Sequence, residues 1–540
     1  MGLPFNPYIL SALCATVVYI AYRKLPSSEQ LDLPGPPISG WLKNHIQHVR
    51  DPSVTPRVHE HLVKHYGRSV RIRGLTPWDE RLITFDPVSM AHISKNYTLY
   101  EKPWATRRLI TSLIGCGMFS AEGHVHKRQR RVASPAFSNQ NMASLAEIAF
   151  RKGLQITDLW KRRFHDGSII AQIDVYDVLS RATLDVIGLA GFDYNFNSME
   201  DESNELFIAY RDMFEIGLTR GSFIRTLLII YLPFLNTIFP SRSTRTLERC
   251  RAVIHRVAGR LIQEKKAKIV EGELSGDEYE SLKSNMSKSL SPEDRITDDD
   301  ILNNINSMIF AGSDTSSLSM TWTLLLLAQN PGVQDRLREE LLCLAKDTPS
   351  LSELDEAQIQ VLTGKISALP LLHNVTRESL RLIPPIHSTL RVATERDVIP
   401  TSQPVRNREN KIDEARRSFV IPKGTVVHVS CEAFNMDKQV WGEDAWEFRP
   451  DRWDTLPDSV RENPWHFSNM LTFSAGPRAC PGLRFALVEM KVLYYVLLTN
   501  FVFRETDEQV IKRNVVTTRP YVKGELGQGP KCPLMVSRLE

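Results

Sequence analysis

One helical signal outweighs every other in the chain, and it runs from Thr297 to Asn330. Thr297-x-x-Asp300 resembles a capping box, and Asp298 and Asp299 place acidic charge at the positive end of the helix dipole. Asn330-Pro331 closes it, because proline disfavours the helical conformation in the residue before it. At 1.5 Å per residue such a helix is roughly 50 Å long, enough to cross a large domain. Apolar residues run around much of its surface between Met308 and Ala328, so burial is predicted.

The rest of the body is read around that helix. Pro56 to Tyr66 is predicted as a helix ended by Gly67, with strands at Ser69–Arg73 and Arg81–Phe85 around a turn at Thr76-Pro77. Glu122 to Phe234 is mostly helical in pattern, and Ser241 to Val270 reads as one long helix. Glu271 to Glu293 is rich in Ser, Glu and Lys, the composition of a surface loop. Helices continue to Leu382. After Pro384-Pro385 the texture changes to short strands at Ser388–Ala393, Phe419–Ile421 and Val426–Ser430, with a polar insertion from Thr401 to Arg417. Gly482 to Asn500 is helical again, and Asn514–Pro520 and Leu534–Val536 suggest closing strands. The fold class expected is mainly α with a smaller β part, that is α+β.

The N-terminus carries a topological signal. From Tyr8 to Tyr22 the residues are almost all apolar or small, and counting from Leu3 the stretch approaches the ~20 residues of a spanning helix. Arg23 and Lys24 follow it and no basic residue precedes it, which puts the body on the cytoplasmic side. A cleaved signal peptide is the competing reading, but the basic n-region and a small-x-small cleavage site are missing. Residues 1–24 are therefore expected to be a membrane anchor, 25–40 a hinge stiffened by Pro34, Pro36 and Pro37, and 41–540 the catalytic domain.

Charge and cysteine content exclude several classes. Formal net charge is only +4 over 540 residues, which gives no argument for nucleic acid. The seven cysteines are scattered, odd in number and never in a Cys-x-x-Cys pair, against a disulfide scaffold or a structural zinc site.

One of those cysteines stands apart. In Phe473-Ser-Ala-Gly476-Pro-Arg478-Ala-Cys480-Pro-Gly482 it occupies a tight turn just before a helix. Unpaired N–H groups and positive potential at a helix N-terminus favour thiolate over thiol. The glycines would let the backbone pass close to a flat ligand, and Arg478 offers a charge-assisted partner for a carboxylate. A lone cysteine would be read as a buried structural residue, but the arrangement Phe-x-x-Gly-x-Arg-x-Cys-x-Gly is far more specific.

Four further segments are weaker one by one. Ala311-Gly312-Ser313-Asp314-Thr315 puts a glycine inside the long helix, where it costs roughly 1 kcal/mol against alanine. A distortion there would make room for a small ligand, with Asp314 and Thr315 relaying protons; a polar helix–helix contact is the alternative. Glu378 and Arg381 share a helix face, and Arg452 in Phe448-x-Pro450-x-Arg452 could complete a charge network with them. His126 and Arg130 are spaced i, i+4 on a basic helix, and Arg391 follows Pro384-Pro385.

Taken together and in this order, the segments resemble the cytochrome P450 superfamily, in its microsomal, fungal form. The resemblance runs from the proline hinge to the C-terminus. It implies a haem-thiolate fold with haem b, Cys480 as axial ligand of the iron, and propionates held by Arg130, Arg391 and Arg478. His126 stands where tryptophan is frequent. It further implies that Phe473 tunes the thiolate, that Asp314 and Thr315 deliver protons, and that Glu378, Arg381 and Arg452 maintain the core. The implied reaction is insertion of one oxygen atom of O2 into a hydrophobic small molecule, a terpenoid or other secondary metabolite. Electrons would come from NADPH through NADPH-cytochrome P450 reductase, with cytochrome b5 as a second donor. The basic cluster Lys127, Arg128, Arg130, Arg131 and Lys491 is expected to dock that partner. An endoplasmic-reticulum membrane location follows from the anchor. Substrate would be lined by residues within Trp104–Phe119, Phe207–Thr219, Asn304–Ala311, Ile386–Thr389 and Val516–Thr518. A haem-thiolate isomerase or dehydratase that needs no reductase is the second reading, and a tethered haem carrier or sensor the third.

Overall fold

The long helix forms where its caps place it. It spans Asp298–Gln329; the Thr297 hydroxyl accepts from the Asp300 N–H at 3.1 Å, and the Asp300 carboxylate accepts from the Thr297 N–H at 3.3 Å. Two of the orphan donors at the helix start are thus satisfied reciprocally.

This computed structural model describes residues 30–37, 44–46, 48–49, 51–74, 79–164, 169–218, 242–270, 297–350, 353–463, 465, 467–514 and 516–539. The expected anchor over 1–24, the turn at Thr76-Pro77 and the polar stretch Glu271–Glu293 lie outside the described residues. Among the described residues no helix is long and apolar enough to cross a membrane.

The chain divides into two units, one made of Met1–Val49, His61–Glu101 and Leu390–Val429, the other of Arg50–Glu60, Lys102–Thr389 and Ser430–Glu540. The smaller is built on a five-stranded sheet in the order Ser69–Arg73, Glu80–Thr84, Val426–Ser430, Ser388–Ala393, Tyr100–Glu101. The first two strands are antiparallel, Ser69 facing Thr84, and Val426–Ser430 runs parallel to Glu80–Thr84. Val70, Ile72, Leu82 and Ile83 are closed to solvent, and because Leu82 and Ile83 are adjacent, both faces of the sheet are covered there.

In that unit the polar insertion acquires a role that its sequence did not disclose. Val405–Arg406 pairs with Ile412–Asp413, and the resulting loop reaches back to the chain's N-terminal segment. Arg408 pairs with Glu80 at 2.7 Å and donates to the Leu31 carbonyl at 3.0 Å, while Arg416 pairs with Asp32 at 2.6 Å. Pro34 accepts from the Arg71 N–H at 2.8 Å, and Leu31 and Leu33 are buried. The described part of the hinge is non-helical, as its prolines require, and it is fastened to the sheet.

The larger unit is helical. Asp298–Gln329 packs on Val175–Phe192, and the helix after the cysteine loop, Leu483–Leu498, packs on Asn139–Lys161. A three-stranded antiparallel sheet orders Phe501–Glu505, Pro533–Arg538 and Ile170–Asp174. Two of these strands were not expected, and Ile170–Asp174 falls inside a stretch read as helical; a strand whose partner lies at the far end of the chain leaves little local signal. The single strand expected over Asn514–Pro520 is corrected as well. The chain reverses there, so that Val510–Asn514 and Thr518–Val522 form a hairpin with Asn514 facing Thr518.

Candidate functional site

The cysteine loop is shaped by two residues in the left-handed region, Ser474 at φ 59° and Gly476 at φ 65°. That conformation is rare for a side-chain-bearing residue and free for glycine. It folds the loop so that the Cys480 N–H donates to the Phe473 carbonyl at 2.8 Å. Phe473 therefore supports the cysteine through its backbone, while its ring meets Phe467 edge-on at 4.9 Å.

Two observations bear on what Cys480 can hold. Its side chain is accessible by area, yet burial is the largest influence on its titration and holds the thiol above its ordinary range. Opposing the burial are the Gly482 backbone and the charge of Arg130, both of which favour the thiolate. A metal cation completes that balance, since coordination deprotonates a thiol outright. The donor set fits a haem iron held by one sulfur.

The long helix supplies a second open surface in the same unit. Ile309 and Phe310 are buried, as is every residue from Ser316 to Ala328, whereas Ala311 is exposed and Gly312 to Thr315 are half-buried. The segment singled out from sequence is thus an open stretch between the buried Ile309–Phe310 and Ser316–Ala328. Gly312 has a packing reason: a Cβ there would stand 2.7 Å from Cδ1 of Ile187 on the neighbouring helix. The helix is continuous through it, and Gly312 marks a close helix–helix approach. Thr315 bonds back to the Ala311 carbonyl at 2.6 Å.

Partners of the expected haem-side cations are now specific. Arg130 Nη1 donates to the Ala479 carbonyl at 2.5 Å and sits close enough to Cys480 to influence its charge. His126, on the same helix Gly123–Ala133, is buried. Arg478 forms an ion pair with Glu122 and donates to the Ala121 carbonyl at 2.8 Å; Lys102 completes the cluster on Glu122 at 2.9 Å. Glu122 was missed from sequence because nothing marks it beyond its place before a helix. Arg391 lies on the strand Ser388–Ala393 of the smaller unit and donates to the Leu390 carbonyl at 2.9 Å.

The charge network is closed and complete. Glu378 accepts from Arg381 at 2.8 and 3.0 Å, from Arg452 at 2.8 Å and from the Trp453 indole at 3.1 Å. Arg381 also caps the Asn435 and Ala445 carbonyls, and Arg452 reaches Asp444 at 2.8 Å. Every acceptor and donor of a buried triad is thereby used, which is the condition for such a group to be tolerated.

One expectation about a partner surface is overturned. Lys491 is buried and its ammonium donates to the Ser367 carbonyl at 2.7 Å; burial lowers its pKa to about 8. It cannot serve a docking face. Arg128 is paired with Asp300 at 2.8 Å, which leaves Lys127 and Arg131 as the exposed members of the cluster.

Comparison with known proteins agrees with this geometry. A family model described as Cytochrome P450 matches residues 34–523. The chain is 34% identical to Cytochrome P450 monooxygenase 205 of Postia placenta, covering 95% of this chain and 94% of that protein. It is 31% identical to Cytochrome P450 monooxygenase claQ of Ampulloclitocybe clavipes over 92% and 91% of the two chains. It is also similar to Ganoderic acid synthetase CYP5150L8 of Ganoderma lucidum, 29% identical over 96% of each.

Proposed function

Since the chain belongs to the cytochrome P450 family, as a haem-thiolate monooxygenase, we propose that it inserts one oxygen atom of O2 into a terpenoid or related apolar secondary metabolite. The observations that carry the proposal lie within the larger unit: an accessible Cys480 beside Arg130, and an open stretch Ala311–Thr315 between buried segments of the long helix. Haem bound there supplies the redox chemistry, and electron donation by a thiolate ligand favours O–O cleavage. Cys480 would ligate the iron. Arg130 and His126 would face the propionate side with Arg478, and Asp314 and Thr315 would move protons inward.

A relative named for ganoderic acid synthesis supports the substrate class, as do the apolar residues along Trp104–Ile114 and at Ile309 and Phe310. Electrons from NADPH would arrive through NADPH-cytochrome P450 reductase, with cytochrome b5 as a second donor. Residues 1–24 would anchor the chain in the endoplasmic reticulum, 25–40 would form the hinge and 41–540 would face the cytoplasm. The test is reconstitution of the full chain with reductase and NADPH. The reduced carbon monoxide spectrum is recorded first, and a panel of terpenoids is then screened for oxygenated products. A thiolate-type band followed by NADPH-dependent product supports the reading; product formation without NADPH would replace it with an isomerase.

A further inference from the structure

Asp314 is offered by the sequence as a proton carrier, yet both of its carboxylate oxygens are engaged. Arg519 Nη2 donates to Oδ1 at 2.6 Å, and the Thr517 hydroxyl donates to Oδ2 at 3.0 Å. Arg519 also donates through Nη1 to the Tyr176 hydroxyl at 2.6 Å and through Nε to Thr517 at 3.2 Å. The pair is sheltered, with the Arg519 side chain 4% and the Asp314 side chain 12% exposed.

The backbone explains how one strand delivers this grip. Thr517 lies in the bend just before the strand Thr518–Val522 that carries Arg519, and both side chains reach Asp314. Thr518 between them is pinned three times. Its N–H donates to the Pro385 carbonyl at 2.9 Å, its hydroxyl to the Pro384 carbonyl at 3.1 Å, and its carbonyl accepts from the Trp322 indole at 2.9 Å. Trp322 belongs to the long helix, about two turns beyond Asp314. The strand is therefore fixed to the same helix whose carboxylate it holds. A sheltered ion pair contributes little net stability, because desolvation offsets most of the attraction. What such a pair does supply is direction.

We propose that Arg519, assisted by Thr517, is a positioning residue for proton delivery, fixing the direction in which the Asp314 carboxylate meets the open stretch Ala311–Thr315. The inference rests on the monooxygenase reading and deepens it. When protons are misdirected, O2 that has taken up two electrons and two protons leaves as hydrogen peroxide. The fraction of NADPH that ends as peroxide therefore reports the clamp, and it needs no organic substrate.

The experiment uses the full chain with reductase, NADPH and O2. Arg519→Gln should raise peroxide released per NADPH by roughly three- to tenfold, below the roughly hundredfold that a 1 Å misplacement of a reacting group can cost. Arg519→Lys should restore part of the loss, and Thr517→Val should show a smaller rise. Should Arg519→Gln not retain haem, Arg519→Lys and Thr517→Val carry the same comparison. A second reading is free of turnover: in a thermal-unfolding cycle of Arg519→Gln, Asp314→Asn and the double variant, the double should lose less than the sum. Unchanged peroxide release in variants with a normal carbon monoxide spectrum, or strict additivity in the cycle, would overturn the proposal. A wild-type protein lacking the thiolate-type band would instead sink the monooxygenase reading, and the cycle would still show whether the clamp exists.

Discussion

Glu378 and Arg452, distant in sequence, meet at 2.8 Å with both side chains closed to solvent, and the pair is shared with Arg381 on the same carboxylate. Removing one member strands a charge in the interior. Glu378→Gln or Arg452→Leu should each destabilise the protein by about 3–5 kcal/mol. The measurement is haem content and thermal midpoint of purified protein; a variant that keeps both at wild-type values would show that the network does not hold the fold.

Glu489 offers a pH dependence with a definite sign. It is buried in the helix after the cysteine loop, and neither oxygen meets a well-placed donor among the described residues. Burial pushes its pKa up to about 8, offset in part by the Ser316 hydroxyl. An acid whose folded pKa is raised binds more protons in the folded state. Its contribution to stability is full below the unfolded pKa near 4.5 and is lost as pH rises through about 8. The slope is about 1.4 kcal/mol per pH unit across that window. Glu489→Gln removes the slope, so its thermal midpoint should gain on wild type as pH goes from 5 to 8. Equal curves for the two proteins would place the ionisation elsewhere.

Cys480→Ser should abolish sulfur ligation. The spectrum decides: the long-wavelength band of the reduced carbon monoxide complex should vanish. A normal band in that variant refutes the ligand assignment.

Thr315→Ala removes the hydroxyl that bonds to Ala311. The variant should keep its haem and its carbon monoxide spectrum while diverting more NADPH to peroxide. Full coupling would reject Thr315 as a proton-delivering group.

Docking of an acidic partner should depend on the exposed basic residues alone. Lys127→Glu with Arg131→Glu should slow reductase-dependent haem reduction, more strongly at low salt. An unchanged rate would remove this face from consideration.

The elements legible in the sequence are those with local punctuation. Thr297, Asp300 and Asn330 bound the long helix within a residue of where it lies, and the strands Ser388–Ala393 and Val426–Ser430 fall where their β-branched runs put them. The strand Ile170–Asp174 and the grip of Arg519 on Asp314 were not legible, because each depends on a partner hundreds of residues away. Lys491 misled for a related reason. A charge on a helix is read as exposed by default, and only its apolar neighbours Met490, Val492 and Leu493 signalled that this one faces inward. Glu489 carried the same signal.

The hold of Arg408 and Arg416 on Leu31 and Asp32 also decides where the chain can be shortened. A truncation ending before residue 30 discards none of these contacts. One that runs on through Pro34 cuts away the buried Leu31 and Leu33 together with Asp32, the anionic partner of Arg416. Shortened forms should therefore begin upstream of Leu31, and a tag fused at that point would ride on the sheet.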